Sequence, residues 1–213
     1  MVAMMNLRHS IYWIFLLILF VTALPIMGGV ALFVALVDGF PILYRQRRVG
    51  KNGIPFTMYK FRTMTVGADR QQKKYARMNE ADGPVFKIRS DPRFTRTGRF
   101  LSHTGLDELP QLFNVMHGEM ALFGPRPLPT TEASTLIKRQ RERHRIKPGI
   151  ISPWIFEGYH SRPFDEWMKS DIAYANEKSV WGDLGLFGKA VVFVGKLFIR
   201  EMASILPINK YYQ

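Results

Sequence analysis

Two adjacent carboxylates, Asp107 and Glu108, stand in a chain whose other short motifs carry positive charge. Such motifs occur at residues 60–64 (KFRTM) and 124–127 (GPRP). The combination suits phosphoryl transfer, because a metal ion and cationic side chains must neutralise a diphosphate before an anionic nucleophile approaches it. One carboxylate can attack phosphorus and form an acyl phosphate, while its neighbour holds the metal. The cations of the two motifs are Lys60, Arg62 and Arg126.

A simpler explanation of the acidic pair stays open at this level. Residues 106–116 have the pattern of an amphipathic helix, with Pro110 near its start and both carboxylates in its first turn. Acidic residues there stabilise a helix dipole by roughly 0.3 to 1 kcal/mol, and composition alone favours this role. His103, just upstream of Asp107, is either a proton carrier or, as is more common, a structural histidine.

The composition restricts the partners and the chemistry. With 30 Lys and Arg against 17 Asp and Glu, the 213-residue chain has a formal net charge of +13. Anionic partners are therefore expected, among them phosphorylated substrates, acidic lipid head groups and nucleic acid. The absence of cysteine excludes thiolate chemistry, and no Walker, Rossmann, zinc-protease or serine-elbow signature occurs. The Arg-rich run at residues 138–147 lacks the aromatic residues of a nucleic-acid site, so no nucleic-acid partner is expected.

An uncharged, strongly apolar run over residues 11–37 predicts attachment to a membrane. The run is longer than the apolar region of a signal peptide and lacks a convincing cleavage site, which disfavours a secretory signal. Pro25 lies near its middle and removes a backbone donor, so a bend is expected there. A straight helix could cross the bilayer, whereas a sharply bent one would enter and leave one leaflet.

Charge on either side of this run indicates where the rest of the chain lies. Arg8 precedes the run alone, whereas several cations follow it. This bias places the downstream domain in the cytoplasm under both topologies. The cations that follow are Arg45, Arg47, Arg48 and Lys51.

The remaining pattern predicts short strands and helices. Residues 42–48 and 55–63 predict a β-hairpin around Asn52-Gly53, a pair that favours a tight turn. The last predicted helix carries its cations at spacings of seven and four, hence on one face. That pattern fits an interfacial helix and, equally, a core helix with one solvated stripe. Helices are predicted at residues 68–79, 131–145, 164–176 and 184–206, the last with Lys189, Lys196 and Arg200.

The order of the motifs resembles the bacterial sugar transferase family of monotopic phosphoglycosyl transferases. The resemblance covers roughly residues 25–183 and continues at its end through an Asp-x-x-Tyr and a Ser-x-x-x-Asp pattern. The matching segments are residues 45–50 (RQRRVG), 60–64 (KFRTM), 106–115 (LDELPQLFNV), 118–120 (GEM) and 124–127 (GPRP), followed by Asp171, Tyr174, Ser179 and Asp183.

The resemblance implies an α/β fold with two parts. Residues 1–40 would form a re-entrant membrane segment broken at Pro25. Residues 41–213 would form a small mixed α/β catalytic domain that ends in an amphipathic interfacial helix. The protein would lie at the bacterial inner membrane with this domain on the cytoplasmic face, in contact with membrane lipids. The sequence leaves a homodimer open.

The resemblance also implies a reaction. Asp107 would attack the β-phosphate of a UDP-sugar and release UMP, and Glu108 would bind Mg²⁺. Polyprenyl (undecaprenyl) phosphate would then take the phosphosugar from Asp107, as the first membrane step of surface glycan biosynthesis. The motif positions that would bind substrate are Lys60, Arg62, Arg126, Pro127 and Asp171.

Several positions depart from the family pattern. Leu24 replaces a serine before Pro25, and Thr22 is a candidate for the missing hydroxyl. Ser102 and Ile155 replace an arginine and a glutamine, so substrate recognition is expected to differ. Two competing interpretations are a noncatalytic membrane adaptor with the same fold and a membrane-tethered nucleic-acid-binding protein. The intact acidic pair argues against the adaptor.

Overall fold

Helix α1 spans Val2–Val37 in the computed structural model, which describes residues 2–157 and 163–205. One side of α1 is buried along most of its length, and its other sides expose large apolar residues. The segment Ser10–Val37 is long and apolar enough to cross a membrane, and only 22% of its most apolar window is buried. An apolar helix with so little protein cover is expected to contact lipid. The buried stripe consists of Leu16, Ala23, Met27 and Val34.

Helix α1 continues through Pro25, where the sequence predicted a bend and the family resemblance implied a break. In the turn before the proline, the Thr22 hydroxyl donates to the carbonyls of Ile18 and Leu19, at 2.9 and 3.0 Å. Such hydroxyl bonds to the backbone help an apolar helix tolerate proline and often accompany a bend. The structure therefore places Pro25 inside one helix rather than between two.

The predicted β-hairpin is confirmed, with its strands shifted by one or two residues. Strands β1 (Leu43–Val49) and β2 (Pro55–Phe61) pair antiparallel, and Tyr44 is opposite Lys60. Their connection includes a 3₁₀ turn in which Asn52 adopts a φ of 56°, a conformation that asparagine tolerates better than most residues.

The predicted helix over residues 106–116 is wrong in one respect, because the structure divides it. After helix α2 (Gly98–Thr104) the chain forms a 3₁₀ turn at Leu106–Glu108 and then helix α3 (Gln111–Met116). Pro110 lies between the two and has no amide hydrogen for a continuous helical ladder. The acidic pair therefore belongs to a tight turn and not to the first turn of an α-helix.

Strand β3 (Ala121–Phe123) pairs in parallel with β4 (Gly149–Ile151), so the described part of the mixed α/β fold contains two two-stranded sheets. The strands leave so little room that a Cβ on Gly124 would lie 2.6 Å from the Lys147 carbonyl oxygen. A Cβ on Gly149 would lie 2.1 Å from the Gly124 nitrogen. Both glycines are therefore needed for the backbone contact that anchors residues 124–127.

The predicted helix over residues 131–145 is wrong. The structure has only α4 (Thr130–Ala133) and a 3₁₀ segment at Gln140–Arg145. The hydroxyls of Ser134 and Thr135 donate to the carbonyls of Thr131 and Glu132, at 2.7 and 2.8 Å, and compete with the helical pattern. The polar segment expected to be helical at residues 68–79 is likewise a 3₁₀ segment, Ala68–Met78.

Helices α5 (Phe164–Glu177) and α6 (Val180–Ile205) complete the described fold and agree with the predicted helices near the C-terminus. Helix α6 buries Ala190 and exposes Trp181, which is 82% exposed. Its three cations are exposed and lie on one helical face, as their spacing predicted. The main core lies between α1, the hairpin, α3 and β3, and a second core joins α4 to α5.

Candidate active site

The acidic pair lies where the hairpin meets the turn between α2 and α3. Asp107 is only 4% exposed, and Lys60 on strand β2 places its Nζ 3.5 Å from Asp107 Oδ2. Lys60 also lies beside the ring of Tyr44, with 5.9 Å between Nζ and the ring centroid. The hairpin therefore brings a cation to a carboxylate that is 47 positions away in the chain.

Burial raises the pKa of Asp107 to about 6, and the positive charge of Lys60 opposes that rise. The negative charge of Glu108 adds to it. A carboxylate with such a pKa is ionised at neutral pH but is poorly solvated, because burial disfavours the charged form. These are the properties expected of a carboxylate nucleophile.

Glu108 has a different environment, since Arg126 donates a hydrogen bond of 2.7 Å to its Oε1. Burial alone would raise the pKa of Glu108, but the charge and hydrogen bond of Arg126, helped by Lys60 and Arg48, lower it. The two neighbouring carboxyl groups are thus shifted in opposite directions. Environments that separate the pKa values of two carboxyl groups are typical of sites that give them different roles.

Arg126 is itself held by a buried ion pair. The Nη2 atom of Arg143 donates to the Arg126 carbonyl and to Asp171 Oδ2, both at 2.5 Å. Arg143 and Asp171 have side chains that are 1% and 0% exposed. On the other side of this loop, Arg48 Nη1 donates to the Pro127 carbonyl at 2.5 Å. The backbone of the Arg126 loop is therefore fastened from two directions.

Two of the expected substrate-binding residues therefore have other partners. Asp171 is enclosed beside Arg143, and the structure does not bring its carboxylate into the open part of the site. Burial raises the pKa of Asp171 to about 6, against the opposing effect of Arg143. Pro127 is buried and offers its carbonyl to Arg48. Both residues support Arg126 instead of facing an open cleft.

Arg62 also differs from its expected phosphate-binding role. Its guanidinium donates to the carbonyls of Asp38, Gly39 and Pro41, at 2.7, 2.7 and 2.6 Å. The side chain is buried at the junction between α1 and the hairpin, where the Asp38 carboxylate also accepts hydrogen bonds from the hydroxyls of Thr95 and Thr97. Arg62 thus connects the membrane helix to the domain.

Asn114 is a site-forming residue that sequence reasoning missed. It is 0% exposed and joins helix α3 to one edge of strand β2. Its side chain accepts from the Tyr59 amide at 3.2 Å and donates to the Thr57 carbonyl at 2.7 Å and to Glu119 Oε2 at 2.6 Å. These bonds hold residues 57 and 59, which come just before Lys60 in the strand. An asparagine in an apolar motif gives no local signal of this role, because its partners are distant in sequence.

Lys87 is a second missed residue, and it lies in the electrostatic field of Arg126. Burial lowers the pKa of Lys87 to about 6, and the positive charge of Arg126 lowers it further. A nearby anion would favour its charged form. The sequence around Lys87, with Gly83-Pro84 a few residues earlier, has the pattern of a loop and gives no local signal of this environment.

The C-terminal motif residues join α5 to α6. Tyr174 donates a 2.5 Å hydrogen bond to Asp183, and the Ser179 hydroxyl accepts from the Gly182 amide at the start of α6. His103 lies 3.3 Å from Glu201 on α6, which agrees with the structural interpretation of this histidine. These contacts fix helix packing and lie apart from the acidic pair.

No group of three or more His, Cys, Asp or Glu side chains that could hold a metal is found among the described residues. A single available carboxylate is nevertheless compatible with Mg²⁺. Magnesium usually keeps several waters and is bound through one or two carboxylates together with substrate phosphates. Glu108 is the carboxylate that would hold a magnesium ion here, together with phosphates of a bound substrate.

A buried carboxylate that faces a lysine, beside a second carboxylate that binds an arginine, is suited to handling phosphorylated groups next to a membrane helix. The chain belongs to the bacterial sugar transferase family, whose sequence profile matches residues 5–196. It is 42% identical over 148 residues to the galactosyl transferase CpsE of Streptococcus agalactiae, covering 69% of this chain and 33% of CpsE.

Two other sugar transferases are also similar to this chain. Over 187 residues the chain is 34% identical to the UDP-glucose:undecaprenyl-phosphate glucose-1-phosphate transferase of Escherichia coli, covering 84% of this chain and 37% of that protein. It is 34% identical over 163 residues to the uncharacterized sugar transferase EpsL of Bacillus subtilis, covering 76% of this chain and 73% of EpsL. The chain thus spans about a third of CpsE and most of EpsL.

Proposed function

We propose that this protein transfers a sugar 1-phosphate from a UDP-sugar to polyprenyl phosphate through a covalent intermediate on Asp107. The observation that carries the proposal is the buried Asp107 carboxylate beside Lys60, next to a Glu108 that binds Arg126. The name of the Escherichia coli relative supports the donor and acceptor classes.

In the first step, one oxygen of the Asp107 carboxylate attacks the β-phosphorus of the donor. The bond between this phosphorus and the oxygen that bridges the two phosphates breaks, and UMP leaves with that oxygen. The raised pKa of Asp107, about 6, leaves it ionised at neutral pH while burial removes stabilising water. Lys60 holds one carboxylate oxygen, so that the other can approach phosphorus.

The cations and Glu108 balance the charge of the diphosphate. Arg126 is planar and always charged, and it suits bidentate contact with phosphate. Lys87 would gain its charge when an anion is bound near Arg126. Magnesium, when bound through Glu108, would supply further neutralisation of the diphosphate. Removal of Mg²⁺ by a chelator is therefore expected to abolish turnover.

In the second step, an oxygen of polyprenyl phosphate attacks the same phosphorus. The bond to Asp107 breaks, the carboxylate is restored, and a polyprenyl diphosphate sugar is formed. Because one carboxylate serves both steps, the reaction follows a ping-pong order. The buried bonds of Arg143 and Arg48 hold the loop that carries Arg126 in place for both.

Although the helix continues through Pro25, the contacts of α1 with the domain support a re-entrant topology with the catalytic domain on the cytoplasmic face. Tyr12 hydrogen-bonds to the backbone of Leu122, and Phe20 packs edge-on against Phe113 at 5.1 Å between ring centroids. Farther along, Val34 is fully buried against the domain. A helix whose two halves both touch one domain stays on the domain's side of the bilayer. The cations that follow α1 favour the cytoplasmic side.

Helix α6 is proposed to lie at the head-group level of the same leaflet. Its exposed surface combines apolar residues with a separate row of cations. Trp181 at one end is 82% exposed, and tryptophan prefers the membrane interface. The cations of this row, which would contact lipid phosphates, are Lys189, Lys196 and Arg200.

The decisive experiment measures UMP release by the purified protein with Mg²⁺, undecaprenyl phosphate and a panel of UDP-sugars. One donor is expected to give turnover, and Asp107→Asn is expected to abolish it. Asp165→Asn is the matched control, because Asp165 is an exposed aspartate on α5. Retained turnover in Asp107→Asn would remove the nucleophile. Absence of turnover with every donor would favour the adaptor interpretation.

A further inference from the structure

An apolar cavity of about 820 Å³ lies between α1 and the β-hairpin. Leu24, Met27 and Gly28 line it on the membrane helix, while Phe61 and Phe113 line it on the domain. Its volume falls within the roughly 300 to 1,000 Å³ typical of small-ligand pockets. Leu24 is 42% exposed on the helix that is expected to contact lipid, so the cavity borders the bilayer.

The cavity leads toward the proposed nucleophile. Pro110, which lines it, follows the acidic pair in the same turn. Tyr44 also lines it, and the ring of Tyr44 lies 5.9 Å from Lys60 Nζ. Lys60 in turn lies 3.5 Å from Asp107. One wall of the cavity is thus connected to the buried carboxylate by two successive contacts.

The charges around this cavity suit an amphiphile with one apolar chain and an anionic end. Its lining is apolar except at Tyr44 and Arg45, and Lys60 lies behind Tyr44. A phosphate brought to Lys60 would approach Asp107, and the attached chain would remain among Phe61 and Phe113. A diacyl phospholipid matches less well, since it has two chains and a glycerol between them and the phosphate.

We propose that this cavity receives the first isoprene units of the acceptor and directs its phosphate toward Lys60 and Asp107. This inference rests on the proposed function for the identity of the acceptor. It assigns α1 a role in substrate binding as well as in membrane attachment. Tyr44, whose ring lies beside Lys60, then marks the end of the cavity through which the phosphate would pass.

Gly28 keeps the cavity open and permits a direct test. A Cβ at Gly28 would meet no atom within 4 Å, so a larger side chain there can enter the cavity without a clash. A Cβ at the adjacent Gly29 would also meet no atom within 4 Å, but Gly29 does not line the cavity. Gly28→Leu therefore places a bulky side chain at the wall of the cavity, and Gly29→Leu makes the same chemical change on another face of the helix.

The experiment measures binding of a fluorescent short-chain polyprenyl phosphate to the full chain in nanodiscs. Gly28→Leu is expected to weaken binding by about tenfold or more, while Gly29→Leu keeps the wild-type affinity. Gly28→Ala is expected to give a smaller loss in the same direction. Unchanged affinity in Gly28→Leu, or equal losses in both leucine variants, would overturn the proposal.

Two further measurements test which lipid occupies the cavity and whether probe binding and turnover can fail independently. Phosphatidylglycerol added to the nanodiscs is expected not to displace the probe, and equal displacement would make the cavity a general lipid site and reject the proposed occupant. If wild-type protein binds the probe through Gly28 but turns over no UDP-sugar, the proposed function fails while the binding site stands.

Discussion

Arg143 Nη2 lies 2.5 Å from Asp171 Oδ2, in an ion pair whose two side chains are at most 1% exposed. The same nitrogen donates to the carbonyl of Arg126, whose guanidinium binds Glu108. A buried pair of this kind contributes little net stability compared with an apolar pair, but losing one partner is costly. Its position indicates that it orients Arg126.

Asp171→Asn is expected to lower the free energy of unfolding by roughly 3 to 5 kcal/mol, because it leaves the buried charge of Arg143 uncompensated. The double variant Arg143→Met/Asp171→Leu is expected to recover much of this loss in denaturant titrations in detergent. Its rate of UMP release should nevertheless stay low, because the Arg126 carbonyl has lost its hydrogen-bond donor, Arg143. Full activity in the stable double variant would reject the positioning role.

The rate of UMP release is expected to rise with pH and to reach half of its plateau near pH 6. Below this pH Asp107 is protonated and cannot attack, since burial raises its pKa to about 6. Lys60 lowers this pKa, so Lys60→Met should move the acid limb to higher pH. A pH–rate profile of both proteins at saturating donor checks this, and an unmoved limb would contradict it.

Asp107→Asn is expected to stabilise the fold at pH 8. The folded-state pKa of about 6 exceeds the ordinary aspartate value of 3.8, so the wild-type protein loses stability as pH rises between these values. The asparagine variant has no such loss. Its advantage should reach at most about 3 kcal/mol above pH 6 and fade below about pH 4. Thermal unfolding across this pH range measures it, and equal stability at pH 8 would argue against a destabilised carboxylate.

Asn114→Asp is expected to destabilise the protein and to reduce UMP release. The new carboxylate would face Glu119 and the Thr57 carbonyl, which now accept hydrogen bonds from the amide group. A buried acceptor that loses its donor costs roughly 1 to 3 kcal/mol. Asn176→Asp, at an exposed position of α5, is the control and should change stability by less than about 0.5 kcal/mol. Equal effects of the two variants would argue against Asn114 as the support of Lys60.

Labelling of single cysteines tests the topology, because the protein contains no cysteine of its own. Ser10→Cys and Lys51→Cys lie before and after the apolar run, and both side chains are exposed. A re-entrant helix predicts that a membrane-impermeant maleimide labels neither cysteine in intact spheroplasts and both in inverted vesicles. Labelling of Ser10→Cys alone in spheroplasts would establish a spanning helix instead.

Local patterns predicted the elements whose energetics are local. Asn52 supplies the positive φ of the hairpin turn, and the cations of α6 share one face because of their spacing alone. The helix predicted over residues 131–145 does not form. The hydroxyls of Ser134 and Thr135 donate to nearby backbone carbonyls, and Arg143 points inward to Asp171. Alternatives of similar local energy are decided by distant partners.

The sequence alone determined the apolar membrane segment, the acidic pair and the cationic motifs that were grouped with that pair. Residue type and order suffice there, because the need to bury apolar surface in lipid and the charge of a phosphate are properties of the side chains themselves. Only the tertiary structure decided which cation faces which carboxylate. In the folded protein Lys60 pairs with Asp107 and Arg126 pairs with Glu108. Arg62 instead donates hydrogen bonds to the backbone just after α1. Burial and distance set these partnerships and the opposite pKa shifts that follow, and both depend on segments that are far apart in the chain.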